Sequence, residues 1–301
     1  MDFLFFLLTL VHVLAGMIFV GLPVLVCAEL WMNGGRSWPI CRVALQQSLL
    51  VGVFALAVGL FIAGFQWDGS FEQAWQVVGS RWIFGFIEFA FSAGLIAAVV
   101  HFCPAWPEQR WRRIAAIAVL FLGATNAWYH FPALMVVSRE IRLHPELVAG
   151  LEGSVVRKLL FSPEILWRWL HIAIASVMLG GTWLRFLIGF SIDQESTPGR
   201  RPDAAELDAW QSTDRLLRQA IWLSLLGLWL SGLMIVLQLS AASLTSTLAL
   251  GSGRSNNLMV GILAANVAAI KTLMPETRPT GLGRFVEFGL MILALTAMLS
   301  R

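Results

Sequence analysis

Apolar and polar stretches alternate along the chain at membrane length. Eight apolar runs stand out, over residues 3–27, 46–65, 82–102, 113–130, 169–190, 219–240, 257–274 and 283–300. Each is close to the roughly 20 residues that a helix needs to cross a bilayer. In hydrocarbon every backbone N–H and C=O must find its partner inside the segment, so such a run predicts a transmembrane α-helix. The pattern predicts an all-α, polytopic transmembrane helix bundle of about eight spans, a single membrane domain over 1–301. The first run is too long, and too poor in basic residues at its start, for a cleaved leader, and reads as a span. Two connections are long enough to hold structure, 131–168 and 191–218. In the second, Asp203-Ala-Ala-Glu-Leu-Asp-Ala-Trp after Pro202 predicts a short surface helix.

Composition agrees with the pattern. The chain is 58% hydrophobic and 13% charged, which excludes an ordinary soluble domain. No phosphate loop, dinucleotide fingerprint or nucleic-acid patch is present. The net charge of +3 says little, because the charges are sorted by loop. Basic residues gather in alternate connections: Arg36 and Arg42; Arg110, Arg112 and Arg113; Arg200, Arg201, Arg215 and Arg218 with Arg185 just before; Arg278 and Arg284 with Lys271 just before. The positive-inside rule then sets both termini outside the cytoplasm, and the expected location is a bacterial-type inner (cytoplasmic) membrane. Cys27, Cys41 and Cys103 show no C-x-x-C or C-x-x-C-H spacing, so no covalent haem is expected.

Ionisable side chains within the runs carry the candidate chemistry. They are costly there and usually mark function. His12 lies deep in the first run, Glu88 in the third, His130 at the end of the fourth and His171 near the start of the fifth. Met259 opens the seventh. On the expected topology these five fall in the outer half of the bilayer, whereas His101 stands alone at the inner end. Each also has a plainer reading: His12 as a satisfied polar group between helices, His171 as an interfacial anchor, Met259 as core filler, and Glu88 as a protonated structural carboxyl or part of a proton path. A neutral imidazole is a common ligand of haem iron, and two membrane histidines together suggest a haem-bearing electron carrier.

Taken in order, several segments resemble cytochrome bd oxidase subunit I. Asn126-Ala127-Trp128-Tyr129-His130-Phe131-Pro132 resembles that family's N-G-W-M-Q-x-P segment. Ser162-Pro163 followed by His171 resembles its N-P…H segment with the same spacing, and Asn257-Leu258-Met259-Val260-Gly261 its R-x-M-V-G. Leu10-Val11-His12 with Leu22-Pro23 is similar to its first helix, Gly59-Leu60 to Phe65-Gln66-Trp67 to its G-x-x-x-x-F-Q segment, and Glu88 to the first glutamate of its third helix. The resemblance is good over 1–190 and thin in the divergent helices of 219–300, apart from the match around Met259. It implies that His171 and Met259 are axial ligands of a low-spin haem b, that His12 ligates a second haem with Glu88 close by, and that Asn126 and Trp128 pack the haem environment. His130 is a reserve ligand where the family has glutamine.

The departures shape the expected function. The family's second glutamate falls at Ile96, its late G-W-x-x-x-E-x-G-R-Q-P-W segment is missing, and Ser240–Asn256 is too short for its quinol loop. The favoured expectation is a b-type haem subunit that transfers electrons within a respiratory complex, with a cytochrome c or iron–sulfur protein at the outer face and quinone as a further partner. The alternatives are a terminal oxidase that reduces oxygen at the His12 haem, and a haemless membrane scaffold or transporter subunit.

Overall fold

The computed structural model describes residues 3–33, 37–65, 69–105, 107, 109–143, 161–195, 204–238, 262–268, 270–271 and 281–299. Among these residues the regular structure is entirely helical. The long helices are α1 (Phe3–Asn33), α2 (Trp38–Phe65), α3 (Gly69–Phe102), α4 (Arg110–Leu143), α5 (Pro163–Glu195), α6 (Ala204–Gln238) and α7 (Gly281–Leu299). The described parts of α1 to α6 are each long and apolar enough to cross a membrane, which defines a multi-pass membrane protein. Residues 262–268 and 270–271 are helical within the expected seventh run, and α7 covers the eighth.

Helix ends depart from the apolar runs. α2 begins at Trp38, well before residue 46, because Trp38 is buried and its indole N–H donates to Cys103 O at 3.1 Å. α4 runs on through Pro132 to Leu143, so the expected outer connection 131–168 starts as helix. The surface helix expected after Pro202 is instead the first part of α6, continuous with the sixth span. Beyond it Thr213, Leu216 and Leu217 are buried, so α6 packs on the bundle from there.

α1 is the central helix. It packs on α2, α4 and α5 and also touches α6 and α7, while α3 pairs with α4, and α6 and α7 with α5. Leu22, Val26, Leu45, Ile96, Leu120, Met178, Leu217 and Ile221 form the deepest part of the core. Two local devices fix α1. Pro23 has no N–H for the carbonyl one turn before it, and Ser48 Oγ on α2 donates to that Phe19 O at 3.0 Å instead. Gly21 lies against the Ser176 backbone, and Gly180 against the Gly21 backbone, so two glycines let α1 and α5 meet main chain to main chain.

Candidate cofactor site

α1 and α5 hold the two membrane histidines in the same half of the bundle. His12 lies nine positions past the start of α1, and Ala55, its partner, ten positions before the end of α2. Its Nδ1 is 2.8 Å from Ala55 O. A carbonyl only accepts, so His12 donates from Nδ1, and in the neutral ring Nε2 then holds the lone pair. The ring rests over Gly59; a Cβ there would come within 2.5 Å of it. Glycine at 59 is therefore what lets the imidazole reach the α2 backbone.

His171 reaches the same tautomer by another route. Ser162-Pro163 starts α5: Ser162 O accepts from the N–H of Ile165 and Leu166, and Pro163 has no N–H to leave unpaired. His171 follows eight residues later, just over two turns in. Its Nδ1 is 2.9 Å from Ser231 Oγ on α6. The Ser231 hydroxyl has one proton; with that proton on Gly227 O at 2.8 Å, its oxygen is left to accept from His171 Nδ1. Nε2 of His171 is again the nitrogen left with a lone pair.

Between them α3 and α4 build a polar cluster. Asn126 Nδ2 donates to Glu88 Oε2 at 2.8 Å and to Ser92 Oγ at 2.9 Å. His130 Nε2 stands 3.9 Å from the same carboxylate oxygen. The structure thus brings Glu88, Asn126 and His130 together. Among the described residues no hydrogen bond or ion pair joins His12 or His171 to that cluster, and no three His, Cys, Asp or Glu side chains converge as an ion site. Phe19, Phe89 and Phe131 close ring to ring at 5.0–6.0 Å where α1, α3 and α4 meet.

Trp128 ties α4 to α5 beside His171. Its indole N–H donates to Ala173 O at 2.9 Å, and its ring meets Trp169 edge-on at 5.5 Å. Trp169 Nε1 in turn donates to Tyr129 O at 3.0 Å. Ile96, where the resembled family has a second glutamate, is fully buried in the apolar core. Met259 and His144 lie outside the described residues. His101 is exposed at the far end of α3.

Sequence reasoning missed a charged cluster at the opposite end. Arg185 Nε donates to Asp214 Oδ1 at 2.8 Å and Nη1 to Glu287 Oε2 at 2.5 Å. Arg218 Nε pairs with Asp214 Oδ2 at 2.7 Å, Arg284 Nη2 with Asp214 Oδ1 at 3.2 Å, and Arg284 Nη1 donates to Arg185 O at 2.7 Å. Arg185, Arg284 and Glu287 are almost wholly buried. Glu287 inside the apolar run 283–300 was the available signal, because an acid there requires a partner. The chain matches no family model and no curated relative.

Proposed function

We propose that the chain is a b-type haem subunit that transfers electrons within a membrane respiratory complex, resembling cytochrome bd oxidase subunit I but without that family's full quinol and oxygen sites. The observation that supports this most is the shared state of the two histidines. Each commits its Nδ1 proton to a fixed acceptor, Ala55 O or Ser231 Oγ, and keeps Nε2 as a lone pair. A neutral imidazole oriented through its second nitrogen is the form that ligates haem iron. His171 and Met259 would hold a low-spin haem b, and His12 a second haem. Bound haem supplies one-electron redox chemistry at its iron.

The chain's own share is to hold and orient. Ser231 and Ala55 fix the two ring planes. Trp128 and Trp169 pin the backbone next to His171. Asn126 steadies the Glu88 carboxyl in the same half of the bundle. In this reading that half faces outward from a bacterial-type inner membrane. Electrons exchange there with a cytochrome c or iron–sulfur subunit docked over the His171 region, or with quinone.

A pyridine haemochrome assay on the purified protein is expected to give haem b. His171→Ala is expected to abolish the low-spin signal, and Met259→Ala to keep haem while shifting it to high spin or lowering its potential. An unchanged reduced spectrum in His171→Ala overturns the assignment. Gly59→Ala tests His12 without touching its chemistry. The added methyl displaces the ring from Ala55 O, so haem per protein is expected to fall by one while the His171 spectrum persists. A ratio that does not change refutes the role of His12.

A further inference from the structure

At the end of the bundle away from His171, the candidate span of α3 stops at Phe102 and that of α4 starts at Arg110. Side chains at these two ends stand at the level of the lipid headgroups. Three of the first four residues of α4 are arginines, Arg110, Arg112 and Arg113, and its first turn holds no acidic residue. Arg110 and Arg112 are exposed and Arg113 is half-buried. None of the three makes an ion pair with a described residue. Glu29 and Asp208 line a cavity together with Arg113, yet neither pairs with it, and Glu29 Oε1 accepts from Asn33 and Thr213 instead.

Arginines this close together call for a counter-charge. Positions 110 and 113 are neighbours on one helix face, with Cβ atoms roughly 5–6 Å apart, so their guanidinium groups repel each other until an anion sits between them. The arginine fork matches phosphate oxygens in geometry as well as in charge. Arg112 adds a third positive charge, with its guanidinium over the Trp111 ring, 5.3 Å from the centroid. Trp111 and Phe102 are 65% and 78% exposed. Aromatic rings left bare at the ends of spans suit the boundary between headgroups and hydrocarbon, where the anion at hand is a lipid phosphate. We propose that Arg110 and Arg113 hold the phosphate of an anionic phospholipid with a headgroup like that of phosphatidylglycerol, drawn from the leaflet at this end of the bundle.

Charge separates this lipid from its neighbours. Phosphatidylethanolamine and phosphatidylcholine carry the same phosphate but add a cation, which the three arginines repel. Native mass spectrometry of the full-length, delipidated protein titrated with phosphatidylglycerol, phosphatidylethanolamine and phosphatidylcholine reads the difference. One phosphatidylglycerol per chain is expected to bind about tenfold or more tightly than either zwitterionic lipid, since an arginine near an anionic surface is worth about fivefold. Arg110→Gln and Arg113→Gln are each expected to weaken phosphatidylglycerol about fivefold, and the double variant to lose the preference while the melting temperature holds. Arg215, exposed near the start of α6 at the same end, is the control. Arg215→Gln removes an equal charge from outside the pair, so the preference is expected to persist. Equal binding of the three lipids to the unaltered protein overturns the proposal without recourse to any variant. So does a double variant that keeps the preference. An Arg215→Gln protein that loses as much as Arg113→Gln also overturns it, because net charge alone would then account for binding. Displacement of the bound lipid by inorganic phosphate does the same, because the arginines would then be taking a free anion from water.

Discussion

Gly21→Ala is expected to destabilise the protein by about 3 kcal/mol or more, at the upper end of what overpacking costs. The added methyl would run into the Ser176 carbonyl of α5. That obstacle is backbone inside a helix, so no rotamer change relieves it, and α1 and α5 must move apart along a contact both use to bury the core. The expected readout is a large drop in melting temperature of the detergent-solubilised protein, together with poor membrane accumulation. Gly16→Ala is the control. A Cβ there meets nothing within 4 Å, and alanine is the better helix former, so stability should hold or rise by up to about 1 kcal/mol. Equal melting temperatures for the two variants would show that α1 and α5 do not touch at Gly21.

The second large effect is expected at Arg185. Its side chain is fully buried and bridges Asp214 on α6 to Glu287 on α7. Arg185→Leu keeps bulk and removes the bridge, which leaves Glu287, 1% exposed, without this cation. Removing one member of a buried ion pair costs roughly 3–5 kcal/mol, mostly through the charge left behind. The double variant Arg185→Leu/Glu287→Leu removes both members and is expected to recover much of that loss, because the paired charges are costly to bury in the first place. Chemical unfolding in detergent measures all three proteins. A double variant no more stable than Arg185→Leu would mean that the arginine acts through packing and not through charge.

The class of fold was legible because the bilayer leaves the chain little choice. Runs of the length of 3–27 or 169–190 can cross only as helices, and both lie within the helices α1 and α5. Helix ends were not legible in the same way. Hydropathy reports where apolar side chains stop, but α2 starts where Trp38 finds Cys103 O, sixty-five residues away in sequence. Asp214 lies in the connection 191–218 that the apolar pattern leaves between spans, yet three arginines from three helices pair with it. At the candidate site the histidines announced themselves by sitting in apolar runs. Their partners did not: Ala55 acts through its backbone, and Ser231 is one hydroxyl among many along the chain. Gly59 was read only as part of a motif, while the structure gives it a steric task beneath His12.

The charged cluster also bears on how the protein enters its membrane. Arg185 leaves the ribosome 102 residues before Glu287, the acid that completes its pairing. A lone charge at the centre of an inserting helix costs roughly 2.5–3.5 kcal/mol on translocon scales, and less toward the helix ends. α5 therefore gains most by lingering beside the insertion machinery until α6 brings Asp214 and α7 brings Glu287 and Arg284. Release into lipid would then come as a three-helix unit, and a ribosome stalled before residue 284 should leave α5 within crosslinking reach of the translocon.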